Sequence, residues 1–419
     1  MTSRDEMRAR GPLAGCRVLE LGSTIAGPFC ARLLADFGAE VIKIEALEGD
    51  QVRSMGRRYE GKSLYAASLL RNKSLAAVDL RHPEGQAIVH KLVEHCDVVV
   101  ENFRPGTLEK WSLGYEDLAH INPRIVMARI SGFGQTGPYS QRAGYGIVAE
   151  AVSGLRNLIG DPDRPPARVA VALTDYVTGL YAAFGVMMAL YARQFSGCGQ
   201  VVDAALSECA FSFLEPHVPS FEKLGIVAKR AGPGLANSAP NNLYPTLDGQ
   251  YVHITAIADP VFRRFARIMG REDVLQDERF ANAVSRGRHL DEVDAFVSDW
   301  TRTVTAVEAE EKLNAAAVPA ARIYTMADIF SDPHFHARGM LSVVPNAELG
   351  TVTLASPVPR LSDTPGRIRV SGGALGQDTA RVLRELAGLD AVEIDRLEQA
   401  GVIRTRPHAP AERAAAAAE

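Results

Sequence analysis

Several signatures that would name a chemistry outright are missing from this chain. No Gly-x-Ser-x-Gly elbow occurs, so a serine hydrolase of that type is excluded, and no phosphate-cradling P-loop is expected. The five cysteines, Cys16, Cys30, Cys96, Cys198 and Cys209, include no Cys-x-x-Cys pair. An odd number spread this widely is no disulfide framework, and reduced thiols in a cytoplasmic protein are expected. His334 and His336 stand two apart with no third ligand at a recognisable spacing, so no metal site is expected. The opening "MTSRDEMRARGPLAG" is charged and has no apolar core, so no secretory signal is expected either. The longest apolar run, "GLYAAFGVMMALYA", falls short of a membrane span and reads as a buried helix.

What is present fits a soluble globular protein: 419 residues, 47% hydrophobic, 23% charged, with a formal net charge of −4. A slightly acidic balance gives no support for a nucleic-acid partner. Buried-strand runs recur at 16–21, 40–45, 74–80, 96–102 and 124–131, with helical patterns between them, such as "PEGQAIVHKLVEHC". That alternation predicts βαβ units and an open, mostly parallel α/β sheet of Rossmann-like type.

The texture changes farther along. "KRAGPGLANSAPNN" (229–242) must be irregular, and "LYPTLDGQYVHITA" predicts a hairpin turning at Asp248-Gly249. The expected division is a large domain over 1–224, a smaller α+β domain over 225–330, a C-terminal segment over 331–403 that returns to the large domain, and a disordered tail over 404–419.

Four stretches are candidates for chemistry. After the first strand a dinucleotide fold wants Gly-x-Gly-x-x-Gly, but this chain offers only Gly22 and Gly27. The turn can still present backbone N–H groups, although NAD and FAD become poor ligands. Glu45 ends the second strand, either facing a ribose hydroxyl or standing solvated. Asp175 opens a long helical run, where an aspartate is either a cap or a carboxylate held ionised for nucleophilic use. "SGFGQTGPYSQRAGYG" (131–146) and "ENFRPG" (101–106) both follow strands, at the end where open sheets bind ligands. There Arg104 either grips a phosphate or is a surface arginine.

In order, "GPLAGCRVLELGSTIAGPFCARLLADFGAEVIKIE", "ENFRPG", "SGFGQTGPYSQRAGY", "DYVTG", "APNNLYPTLDGQYVHI" and "VPAARIYTMADIFSDPHFHARGM" closely resemble class III CoA-transferases, the CaiB/BaiF group that includes formyl-CoA transferases. The likeness spans roughly 12–375. It implies two chains interlinked like rings and no permanently bound cofactor, with coenzyme A entering as a substrate on the large domain. It also implies that Asp175 is the nucleophile, acylated to an anhydride and then converted to an aspartyl-CoA thioester. Coenzyme A contacts carry over to Thr24, Ile25, Ala26, Leu70, Asn72, Lys73, Asn102 and Arg104, with Tyr145 beside them. The family often has a basic residue after the acid ending the second strand; here it is Ala46.

The group also contains α-methylacyl-CoA racemases, which resemble this chain through "QRAG" but follow it with a histidine. Tyr145 stands there instead, a poor α-carbon base since an unperturbed tyrosine titrates at about 10. Transferase is therefore the expected activity, with a racemase or a non-catalytic CoA-binding protein as alternatives. The central region resembles members acting on succinyl-CoA and small dicarboxylates. Their distal carboxylate needs a cation, for which Arg142 and Arg168 are the candidates. The glycine-rich stretch at 229–242 is expected to act as a lid.

Overall fold

The computed structural model describes residues 4–405, and the chain divides into two compact units. One comprises Met1–Gly154, Ala170–Glu215 and His336–Glu419; the other comprises Leu155–Val169 and Pro216–Phe335.

The first unit runs β1 (Arg17–Glu20), α1 (Ala26–Asp36), β2 (Glu40–Glu45), β3 (Lys73–Val78), α2 (Pro83–Val93), β4 (Val98–Glu101), β5 (Val126–Ser131), α3 (Gly146–Val152), α4 (Leu173–Ser196) and β6 (Val201–Ala205). These strands pair in parallel in the order β3-β2-β1-β4-β5-β6. That is the strand order of dinucleotide-binding folds. A short final strand, Ile403–Arg404, adds antiparallel to Val78 and Ala77 of β3. Arg404, where the expected tail begins, is thus in a strand, and from residue 406 that expectation lies outside the described residues.

Both faces of the sheet are covered, so its strands are mainly apolar, with Glu20, Lys43, Glu101 and Arg129 buried among the aliphatic residues. Alternate residues point to opposite faces. Leu19, Ile42, Val99 and Met127 pack with Ile88, Val89 and Leu92 of α2. Val18, Val41, Val98 and Val126 pack on the other side with Cys30, Ala31 and Leu34 of α1 and Val186 of α4. Each fully buried aliphatic side chain contributes roughly 1.5–3 kcal/mol.

Glycines set how closely α4 lies on this layer. A Cβ added at Gly179 would come 2.7 Å from the Ala26 carbonyl oxygen, and one at Gly185 would come 2.5 Å from Val202 Cγ1. At 24 residues, α4 is long and apolar enough to cross a membrane by length and composition, which corrects the shorter span read from the sequence. It is half-buried rather than buried. Ala182, Ala183, Val186 and Ala189 face the core, while Leu180, Phe184, Met188, Tyr191 and Phe195 are exposed.

In the second unit, β7 (Asn241–Pro245) and β8 (Tyr251–Thr255) form the expected antiparallel hairpin, with Gly249 in the left-handed region at φ 72°. Ala320–Arg322 extends that sheet beside β8. Helices Asp259–Ile268, Leu290–Thr301 and Ala306–Ala315 pack on it around Phe262, Phe265, Val297 and Leu313.

Candidate active site

The strand order reverses between β1 and β4, where the loops leaving the strands' carboxyl ends diverge and open a crevice. Gly22 and Gly27 answer to a side chain there. A Cβ on Gly22 would lie 2.6 Å from Asn102 Oδ1, and one on Gly27 would lie 3.3 Å from Asn102 Cγ. Asn102 Oδ1 accepts from the Ser23 N–H at 2.7 Å, and its Nδ2 donates to the Ser23 carbonyl at 2.8 Å. The two glycines that stand in place of the fingerprint thus admit an amide clamping the loop. Thr24 follows in the left-handed region at φ 71°, an outlier for a β-branched residue.

The loop after β5 returns on itself at a second pair of glycines. A Cβ on Gly132 would come 2.9 Å from Gly144 Cα, and one on Gly144 would come 2.7 Å from Gly132 Cα. Pinned there, the chain reaches exposed Tyr145 and starts α3 at Gly146. Residues 132–137, GFGQTG, do spell the dinucleotide pattern, but no helix opens behind them. The Gly134 and Gln135 N–H groups are already given to Ser131 Oγ and Asp203 Oδ2, each at 2.9 Å.

Although no P-loop is expected, residues 56–63, GRRYEGKS, match the P-loop string. They form a hairpin pairing Arg58–Tyr59 with Lys62–Ser63. Lys62 ion-pairs with Glu348, and the Ser63 hydroxyl donates to the Val52 and Met55 carbonyls. The string folds without a phosphate cradle.

Asp175 lies in the first turn of α4, where the helix dipole favours negative charge. The N-cap position belongs to Ala172, which has no capping side chain. Asp175 lines a cavity of about 240 Å³ together with Thr24, Ile25, Ala26, Asn102, Arg104, Arg142 and Tyr145. Helix α1 begins at the same cavity behind Ile25, which supplies no side-chain cap. Its positive end is therefore open to a ligand. Next to Asp175, the Tyr176 hydroxyl meets that of Tyr65 at 2.7 Å, and Tyr176 packs edge-on against Phe29.

Three carried-over positions do not reach this cavity, because the fold itself uses them. Leu70 is fully buried in an apolar cluster. Asn72 Nδ2 donates to Asp36 Oδ1 at 2.8 Å and to the Arg367 carbonyl at 2.9 Å. Its Oδ1 accepts from the Arg369 N–H at 2.7 Å. Lys73 Nζ sits 2.6 Å from Glu20 Oε2 and 2.8 Å from the Pro28 carbonyl, and burial, opposed by Glu20, holds it below the ordinary lysine range.

Glu45 is neither solvated nor available to a ribose. Its oxygens take Arg53 at 2.6 and 2.7 Å and the Asp50 N–H at 2.9 Å. Of the two candidate arginines, Arg142 lines the Asp175 cavity and Arg168 belongs to the second unit. Arg142 stacks on Tyr139, its guanidinium carbon 3.4 Å from the ring centroid.

A second cavity of about 320 Å³ lies between the ends of β1, β2 and β3, lined by Leu21, Ala46, Arg81, Phe103 and Trp111 among others. Arg81 and Trp111 were not foreseen. The available signal was a basic residue just beyond the third strand, where its bond to Asp79 at 2.8 Å now holds it. Buried Glu101 supports the loop between the cavities. It accepts from the Phe103 N–H and from Arg129 Nε, both at 2.8 Å.

Comparison with known proteins agrees with this geometry. The model for CoA-transferase family III matches residues 13–379. The chain is 46% identical to the succinyl-CoA–D-citramalate CoA-transferase of Chloroflexus aurantiacus, over 94% of this chain and 98% of the relative. It is 41% identical to the β subunit of that organism's succinyl-CoA–L-malate CoA-transferase, with the same coverage of each. A crystal structure of a CaiB/BaiF family protein from Brucella suis superposes with a TM-score of 0.80 at 35% identity, over 90% of this chain and 100% of that one. The chain belongs to CoA-transferase family III and is a CoA-transferase.

Proposed function

We propose that this enzyme moves coenzyme A from succinyl-CoA to a small dicarboxylate through covalent intermediates on Asp175. The observation that carries this reading is the convergence of Asp175, the Thr24–Ala26 loop and Arg142 on one cavity at the switch point of the sheet. The donor and acceptor class are supported by relatives whose names specify succinyl-CoA with citramalate or malate.

The Asp175 carboxylate attacks the succinyl thioester carbonyl. Expulsion of the CoA thiolate leaves a succinyl-aspartyl anhydride. The thiolate then attacks the aspartyl carbonyl, releasing succinate and forming an aspartyl-CoA thioester. The acceptor carboxylate attacks that thioester, again expelling the thiolate and giving a second mixed anhydride. Thiolate attack on the acceptor's carbonyl releases the new acyl-CoA and regenerates the Asp175 carboxylate. No net proton is exchanged. Each tetrahedral oxyanion is met by backbone N–H groups at the open end of α1. The nucleotide end of coenzyme A lies in the second cavity, with Arg81 supplying a cation where Ala46 cannot. Arg142 takes the distal carboxylate of the diacid.

Two copies associate through the exposed face of α4. Leu180, Phe184, Met187, Met188, Tyr191 and Phe195 form one apolar stripe at helical spacing, and contiguous patches of this kind mark association surfaces. This supports the dimer implied by the family resemblance.

The activity is tested by supplying succinyl-CoA with a panel of four- and five-carbon dicarboxylates and following acyl-CoA products chromatographically. Transfer to at least one diacid is expected. Deuterium entry at the α-carbon of a branched acyl-CoA without any transfer would replace this reading with racemase chemistry.

A further inference from the structure

Beneath the first loop lies a buried ion pair that the proposed chemistry does not use. Lys43 on β2 is fully enclosed, and Asp50 is 5% exposed. Lys43 Nζ lies 2.8 Å from Asp50 Oδ2 and 3.0 Å from Glu20 Oε1, and it also donates to the Gly22 carbonyl. Asp50 Oδ1 accepts from the Thr24 N–H at 3.0 Å and from the Val52 N–H at 2.9 Å. The Asp50 N–H in turn donates to Glu45 Oε2 at 2.9 Å.

One pair therefore grips both ends of the turn. Lys43 holds the carbonyl of Gly22, Asp50 holds the amide of Thr24, and Asn102 holds Ser23 between them. The need for such a grip is local. Thr24 sits at φ 71°, a conformation that a β-branched residue keeps only when its surroundings impose it. Burying two charges also costs more desolvation than an apolar pair of similar size, so stability alone does not account for them.

We infer that Asp50, backed by Lys43, is a positioning residue: it holds Thr24 left-handed and so presents the Ile25–Ala26 backbone to the cavity containing Asp175. The inference rests on that cavity being the coenzyme A site.

The test compares Asp50→Ala with Asp50→Asn in the full chain, measuring coenzyme A affinity by calorimetry, succinyl-CoA kinetics and melting temperature. Both variants remove one of the two carboxylates paired with Lys43, leaving Glu20, and both are expected to melt lower. Only Asp50→Ala removes the acceptor for Thr24. Its dissociation constant for coenzyme A should rise about tenfold or more, while Asp50→Asn stays within about threefold of the parent. Thr24→Pro removes the same N–H and forbids a positive φ while leaving the ion pair in place, so it reports even where Asp50→Ala does not fold. It should weaken coenzyme A binding by a similar factor.

Unchanged affinity in Asp50→Ala or Thr24→Pro, or equal weakening in the two Asp50 variants, overturns the inference in favour of a purely structural role. A parent protein that does not bind coenzyme A overturns the reading of the cavity itself. Only a parent that binds, with variants that do not differ, overturns this inference alone.

Discussion

Gly146 lies so close to Asp175 that a Cβ added to the glycine would stand 2.2 Å from Asp175 Oδ2 and 2.9 Å from its Cγ. The carboxylate rests against the first residue of α3, and any side chain there must displace one or the other. Gly146→Ala is therefore expected to move the nucleophile. Turnover should fall on the order of a hundredfold, because small misplacements of reacting atoms cost that much. Overpacking should lower stability by about 1–3 kcal/mol. Succinyl-CoA kinetics alongside thermal melts measure both effects.

Arg142 is expected to act on the acceptor and not on coenzyme A. Arg142→Gln should raise the KM for the dicarboxylate by roughly 10- to 100-fold, the range for losing a charge-assisted bond. The coenzyme A dissociation constant should stay near that of the parent. With a monocarboxylic acyl-CoA as donor, a monocarboxylate of similar size should be used equally by both proteins, which steady-state kinetics will check.

Glu101 gives stability a pH dependence with a definite sign. Burial, opposed by Arg129, pushes its carboxyl up from 4.5 to about 7. Between those values the unfolded chain loses a proton that the folded chain keeps, so stability falls as pH rises through this window. The contribution is fully present below about pH 4.5 and lost above about pH 7, on the order of 3 kcal/mol. Urea unfolding of the parent and of Glu101→Gln at half-unit steps from pH 4.5 to 8 should show a slope in the parent that the variant lacks.

Phe184 is 59% exposed within the apolar stripe on α4. A glutamate there should cost little in an isolated chain and much at an apolar interface. Phe184→Glu is expected to shift the mass measured by light scattering from two chains toward one. A parent that already runs as one chain would contradict the proposed association.

Much of the sheet was legible because strands covered on both faces are mainly apolar, even with charged residues such as Lys43 and Glu20 buried and paired among them. "VVVE" and "EVIKIE" allow little else, and the observed strands fall within a few residues of the expected ones. The gathering of Thr24, Ile25, Ala26, Asn102, Arg104 and Tyr145 around Asp175 came from the family resemblance, since no local pattern brings residues 24, 102 and 175 together. Leu70, Asn72 and Lys73 do not line the Asp175 cavity, and motif position says nothing about which way a side chain faces. Asn72 turns into the fold toward Asp36, and Lys73 toward Glu20. The bond between Asp50 and Thr24 was invisible for a different reason. A buried aspartate five residues beyond a strand looks like any loop residue until the chain is folded.

The central claim is that Asp175 becomes acylated. The direct measurement is to quench the enzyme with succinyl-CoA within one turnover, trap with hydroxylamine, and map the modified peptide by mass spectrometry. A hydroxamate at Asp175, missing in Asp175→Ala, is the predicted result. An unmodified Asp175 in an enzyme that is visibly transferring coenzyme A would contradict the account.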